Sequence, residues 1–197
     1  MQALPTEEEI IRFAREMPAC KPAALCIGVV GTPLTLTVLN EGVLDSLESE
    51  DKKVFRAPLS EALWFMWTEE TTIRSECHEF LIWLKSLLKN MGNNTGAAFA
   101  FDPDPEALHT SADLYVKGIQ GGNLRYRFAK AVSLGEHMDA VFSLAPRYEN
   151  AAMVMDMRGL KEAVNAPLME INFDGDWEES AWERVRSFLY YCQRKQI

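Results

Sequence analysis

The chain has 197 residues and a net charge of −9, with 48% hydrophobic and 25% charged residues. This composition is typical of a globular protein and excludes a fully disordered chain, and the lack of an apolar run of about 18 residues excludes an integral membrane protein. The length suits one domain, which we expect to span residues 1–197. The acidic excess also disfavours direct binding to nucleic acids, whose phosphates are negatively charged.

The first quarter of the chain predicts one helix followed by strands. Thr6 begins a capping box, and apolar residues then recur at helical spacing until Pro18. Residues 24–30 form a short apolar run, and residues 34–38 alternate leucine or valine with threonine, so both segments predict strands. Residues 53–56 predict a further short strand.

The middle of the chain predicts a helix in two pieces over residues 59–91, because its apolar side chains form a wide stripe. A brief helix is expected at residues 106–109. The rest of the second half predicts strands joined by short turns, and such connections favour an antiparallel meander. These predicted strands are residues 96–101, 114–119, 124–134, 140–144 and 152–157.

The C-terminal part predicts a helix, a strand and a helix. Residues 158–164 suggest a short helix, and residues 168–173 suggest a strand. Asp176 and Glu179 then form a capping-box pattern before a clearly amphipathic helix. The predicted fold is therefore α+β: one domain with a largely antiparallel sheet of about 7–8 strands, and with N-terminal, central and C-terminal helices packed on it.

Acidic residues concentrate near the N-terminus and in residues 41–51. This segment is either a solvated loop or a contact surface for a partner with a basic surface, and both interpretations stay open. The acidic residues that we predict to contact such a partner are Glu41, Asp45, Glu48, Glu50 and Asp51.

A dense aromatic group lies in the predicted central helix. Trp64 and Trp67 are three residues apart and share a helix face, whereas Phe65 lies about 100° round the helix. These side chains are too many for one core-facing stripe. They therefore belong either to core or dimer packing or to a functional contact, and we include Trp64 and Trp67 among the predicted partner contacts.

The candidates for catalysis and metal binding are weak. Cys77 and His78 are adjacent, so on a helix their side chains diverge, and a nucleophilic pair would need His109 or His137 from elsewhere in the fold. Three histidines without zinc-like spacing predict no metal site, and no cofactor is predicted.

Residues 28–32 are expected to form a hairpin turn rather than a phosphate loop. Arg125 and Arg127 are expected on a solvated sheet face.

These observations predict a noncatalytic interaction protein of the acidic inhibitor, immunity or adaptor type, which binds a basic protein; a special case is an inhibitor that mimics the charge of nucleic acid. The alternative is a small intracellular enzyme that uses Cys77 or a carboxylate with a histidine. Four cysteines without a visible secretion signal indicate a reducing, cytoplasmic compartment. Self-association through apolar surface is also expected.

Overall fold

The computed structural model describes residues 24–31, 47, 49, 51–69, 100, 102, 105–116, 122–146, 157–173 and 179–195. Within these residues, four parallel strands form one sheet in the order β2-β1-β3-β4, and five helices accompany it. The elements in chain order are β1 (Leu25–Gly31), β2 (Lys52–Arg56), α1 (Leu59–Glu69), α2 (Pro105–Tyr115), α3 (Gly122–His137), β3 (Ala140–Pro146), α4 (Met157–Ala163), β4 (Leu168–Phe173) and α5 (Glu179–Lys195).

The sheet is covered on both faces, and its two central strands are apolar except for Ser143. All but one residue of β1 and all but one of β3 are buried. On one face, Val30 and Val141 pack with residues from α1, α2, α3 and α4. On the other face, Val29 and Phe142 pack with residues from α5. Strands buried on both faces are characteristic of parallel sheets.

The connections follow the usual rule for parallel strands. The step from β1 to β2 runs in one direction across the sheet, and Leu47 from this connection packs on the α5 face. The steps from β2 to β3 and from β3 to β4 run in the other direction, and their helices pack on the opposite face. Crossovers of one hand require this change of face.

The predicted fold class is wrong. The described strands form a four-stranded parallel sheet in a mixed α/β fold, not an antiparallel sheet of seven or eight strands. The main cause is residues 124–134, which form part of α3 rather than a strand. Arg125 and Arg127 therefore lie on a helix, and Arg127 is fully buried. The predicted strand at 114–119 is also wrong at its start, since residues 114 and 115 end α2. Residues 28–31 lie within β1 and not in a turn.

Several element predictions are confirmed. Strands occur at the predicted positions in β1, β2, β3 and β4, and helices occur in α1, α4 and α5. The expected brief helix at 106–109 is longer and forms α2. The predictions for residues 1–18, 34–38, 71–91 and 96–99 lie outside the described residues.

Candidate functional site

The direction in which the chain adds strands across the sheet changes between β1 and β3, the two neighbouring strands at the centre of the sheet. From β1 the chain steps to β2 on one side, and it later crosses back to β3 on the other side. In other open parallel sheets, ligands bind in a crevice outside the carboxyl ends of two such strands. We call this place the switch-point crevice; it lies next to the ends of β1 at Gly31 and of β3 at Pro146.

Helix α3 lies over both strands and begins at the same edge of the sheet. It ends at His137, three residues before β3 starts at Ala140, so its C-terminus lies at the amino edge. Because α3 runs antiparallel to the strands, its first residues, Gly122 and Asn123, lie at the carboxyl edge. The N-terminus of a helix carries a partial positive charge.

Gly28 allows α3 to approach β1 closely. A Cβ atom at this position would lie 3.1 Å from Met138 Cγ and 3.2 Å from Leu134 Cβ. These distances are shorter than ordinary carbon–carbon contacts, so any side chain would push the helix outward. The glycine therefore sets the separation of helix and sheet near the C-terminal end of α3.

A buried polar network joins α1 and α3 to the segment at residue 102. Glu61 lies in the first turn of α1, and its side chain is fully buried. Its Oε1 accepts from Lys130 Nζ at 2.7 Å and from the Tyr126 hydroxyl at 3.0 Å. Its Oε2 accepts from the backbone N–H of Asp102 at 2.6 Å, and Asp102 Oδ2 accepts from Ser133 Oγ at 2.6 Å. We call these five residues the Glu61 network.

The Glu61 network holds elements in place rather than supplying a catalytic base. Tyr126 and Lys130 are four residues apart on α3, a spacing at which the ammonium group could stabilise a phenolate. Here Glu61 accepts from both groups, and burial together with the Glu61 carboxylate raises the pKa of Tyr126 far above its ordinary value. The phenol therefore stays protonated. Its hydroxyl and the Lys130 ammonium group fix the start of α1, which follows the carboxyl end of β2.

A histidine lies between α1 and α2. His109 stacks on Phe65 with ring centroids 4.1 Å apart, and its Nε2 lies 2.6 Å from Thr68 Oγ1. The Thr68 hydroxyl also lies 2.9 Å from the carbonyl oxygen of Trp64. A hydroxyl has one proton, so Thr68 donates either to a carbonyl of its own helix or to His109 Nε2, and the histidine tautomer decides which.

The structure describes three of the predicted partner-contact residues. Asp51 is exposed, and its carboxylate accepts from Ser49, Lys52 and Gln193. Trp64 is buried and packs in the core beside His109, which favours the core interpretation of this tryptophan. Trp67 lies on α1. Glu41, Asp45, Glu48 and Glu50, as well as Cys77 of the alternative hypothesis, lie outside the described residues.

The acidic excess of the chain does not come from the α/β core. The described residues contain equal numbers of acidic and basic side chains, whereas the whole chain has a net charge of −9. The acidic surface that the interaction hypothesis requires therefore belongs to the remaining residues. In the described ranges, no group of three or more histidine, cysteine or carboxylate side chains could hold a metal ion.

Sequence reasoning did not identify the residues that the structure brings together. Glu61, Lys130 and Ser143 carry no functional prediction, and Tyr126 falls within the predicted strand at residues 124–134. The i, i+4 spacing of Tyr126 and Lys130 was the available signal, but it has meaning on a helix and not on the strand that we predicted.

The comparisons with known proteins leave the function to be argued from this geometry. No protein-family model matches the chain, and neither a curated protein nor a solved structure matches it. Among the described helices, none is both long and apolar enough to cross a bilayer.

Proposed function

We propose that this chain binds a small-molecule ligand in the switch-point crevice, at the carboxyl ends of β1 and β3. The observation that carries the proposal is the parallel strand order β2-β1-β3-β4, which reverses direction between these two strands. The start of α3 at the same edge supports a ligand with an anionic group, because helix N-termini attract negative charge. Nucleotides are ligands of this kind in other doubly wound sheets.

Thermal unfolding in the presence of AMP, NAD⁺ and FMN tests the proposal. A ligand at 100 times its dissociation constant stabilises the folded chain by about 2.7 kcal/mol. For a chain of 197 residues, this corresponds to a rise of roughly 5–10 °C in the midpoint. We expect at least one of the three probes to raise the midpoint in this range.

Two matched variants locate the binding. Pro146→Trp places a large side chain at the carboxyl end of β3 and should abolish the rise. Asn165→Trp places the same side chain at an exposed position before β4, at the amino edge, and should leave the rise intact. Loss of binding in both variants, or in neither, would contradict binding in the switch-point crevice.

A second candidate function is the noncatalytic acidic interaction module, which binds a protein with a basic surface. The net charge of −9, contributed by residues outside the α/β core, supports it. Asp51 is a poor site for testing it, since Ser49, Lys52 and Gln193 of the same chain already engage its carboxylate. Neutralising Glu48 and Glu50 to glutamine is the better test.

The measurement for this second candidate is a pull-down from host lysate at low and high salt, with mass spectrometry of the retained proteins. We expect a basic partner that is released at high salt, and weaker retention by the doubly neutralised variant. Retention unchanged by salt and by both substitutions contradicts a role for this acidic segment.

We further propose a reducing, cytoplasmic compartment, which the thiols of Cys26 and Cys192 support.

A further inference from the structure

The outer face of α5 carries two large aromatic side chains in contact with solvent. Val185, Leu189 and Cys192 are buried, so they define the inner face of the helix, which packs on the sheet. Tyr190 and Tyr191 lie away from that face and are 57% and 54% exposed. Tyrosine is enriched in protein–protein interfaces, because its ring buries a large area while its hydroxyl still forms hydrogen bonds. Two neighbouring exposed tyrosines therefore indicate a contact with another protein.

Opposite charges lie at the two ends of this outer face. Glu183 lies in the first half of α5 and Arg194 lies near its end, and both are exposed. Arg194 lies over the ring of Tyr190, with its guanidinium carbon 4.9 Å from the ring centroid, so its charge stays on the outer face. The other carboxylate of the first half, Glu179, already accepts from Arg186 at 2.9 Å. Glu183 and Arg194 are therefore the charges that a partner of complementary pattern would meet.

The same helix in a second copy of the chain has this complementary pattern. A two-fold symmetric contact uses one patch on both copies, and it can place two identical helices antiparallel. Ser187 is the middle residue of α5, and its side chain is exposed and small enough for two helices to approach closely. When two antiparallel helices cross there, residues at equal distances before and after Ser187 lie opposite each other.

This crossing point brings complementary side chains together. Tyr191, four residues after Ser187, lies opposite the segment of the second copy that holds Glu183 and Arg184. Arg194 lies about 4.5 Å further along the helix axis, which its long side chain spans to reach the same Glu183. The two helix dipoles run in opposite directions, so the C-terminus of each helix lies beside the N-terminus of the other.

We propose that the chain forms a homodimer through the outer face of α5, with the two helices antiparallel and crossing at Ser187. Each Arg194 pairs with Glu183 of the second copy, and each Tyr191 packs against Arg184 of the second copy. At physiological salt, charges more than about 8 Å apart are largely screened, so these local contacts outweigh the net charge of −9 on each copy. Helices α5 and α3 lie on opposite faces of the sheet, so the dimer does not depend on ligand binding in the switch-point crevice.

Sedimentation velocity of the purified chain tests whether the dimer forms. Protein concentrations from about 1 μM to 1 mM cover the expected range, because an interface made by one helix pair is at the small end of specific interfaces and gives micromolar dissociation constants. We expect the sedimentation coefficient to rise from that of a monomer to that of a dimer. A monomer at every concentration, or assembly beyond a dimer, would overturn the proposal.

Reversed charges test the antiparallel arrangement. Glu183→Arg and Arg194→Glu each place two like charges opposite each other, twice per dimer, and should each weaken self-association by at least about tenfold. An equimolar mixture of the two variants restores both pairs between unlike chains, so it should form a heterodimer about as stable as the unmodified dimer. Recovery in the mixture also shows that both variants fold. Unchanged self-association of either variant, or no heterodimer in the mixture, contradicts the arrangement.

A pair of tyrosine variants locates the contact on α5. Tyr191→Ala removes an exposed ring from the centre of the interface and should weaken the dimer by at least about tenfold. Tyr115→Ala is the matched control, since Tyr115 is 46% exposed but lies on α2. Its dimer should be as stable as that of the unmodified chain. Weakening by both substitutions, or by Tyr115→Ala alone, would show that the chain associates through another surface.

Discussion

Replacing Glu61 with glutamine tests the role of the Glu61 network in stability. The substitution keeps the size of the side chain and removes its negative charge. Lys130, whose side chain is 1% exposed, then keeps a buried positive charge without its partner at 2.7 Å. Tyr126 and the backbone N–H of Asp102 also lose a charged acceptor.

The expected cost is large for a single substitution. Removing one partner of a buried ion pair destabilises proteins by about 3–5 kcal/mol, because the remaining charge is left uncompensated. In a chain of 197 residues, this corresponds to a fall of roughly 6–20 °C in the unfolding midpoint. The double variant Glu61→Gln with Lys130→Met also removes the stranded ammonium group and keeps an amide oxygen as an acceptor, so part of the lost stability should return.

Urea unfolding followed by circular dichroism measures both variants. Glu162→Gln is the matched control, since it breaks an exposed i, i+4 pair with Arg158 and should cost no more than about 0.5 kcal/mol. A free energy of unfolding for Glu61→Gln within about 1 kcal/mol of the unmodified chain would refute the reasoning, because experimental errors in such extrapolations are smaller than the predicted loss.

Three further predictions follow from local contacts. Gly135→Ala would place a Cβ atom 2.6 Å from Val164 Cγ1, so unfolding in urea should show a loss of about 1–3 kcal/mol. Burial and the nearby carboxylate raise the pKa of Tyr126, so stability should fall as the pH rises above 10.0, and Tyr126→Phe should remove this fall in urea midpoints measured against pH. The Ser49 and Lys52 hydrogen bonds lower the pKa of Asp51 from 3.8 to about 2, so acid unfolding of Asp51→Asn should lose the component between these two pH values.

Local patterns identified most elements of the fold. The strands of β1, β3 and β4 and the amphipathic helix α5 were predicted close to their observed bounds, because each has a distinct apolar pattern. Helix α3 was missed because it is buried on nearly every side. Its polar residues Arg127 and Lys130 are buried as well, so no solvent-facing stripe reveals a period of 3.6 residues. In residues 124–128, apolar and polar side chains then alternate as they would in a strand.

The error in α3 caused the error in topology. A strand at residues 124–134 followed closely by the strand of β3 favours a hairpin, whereas a helix in that place allows a crossover between parallel strands. The composition of β3 was an available signal, since a run that is buried on both faces is typical of a parallel sheet.

The most direct test of ligand binding in the switch-point crevice is a titration of ¹⁵N-labelled protein with whichever of AMP, NAD⁺ or FMN raises the unfolding midpoint. We predict that amide signals at the carboxyl edge change most, with Gly31, Asn123 and Ala145 as the reporters. Changes concentrated at the amino edge, near Asp139 and Asn165, would contradict this account, as would an unchanged spectrum with all three probes.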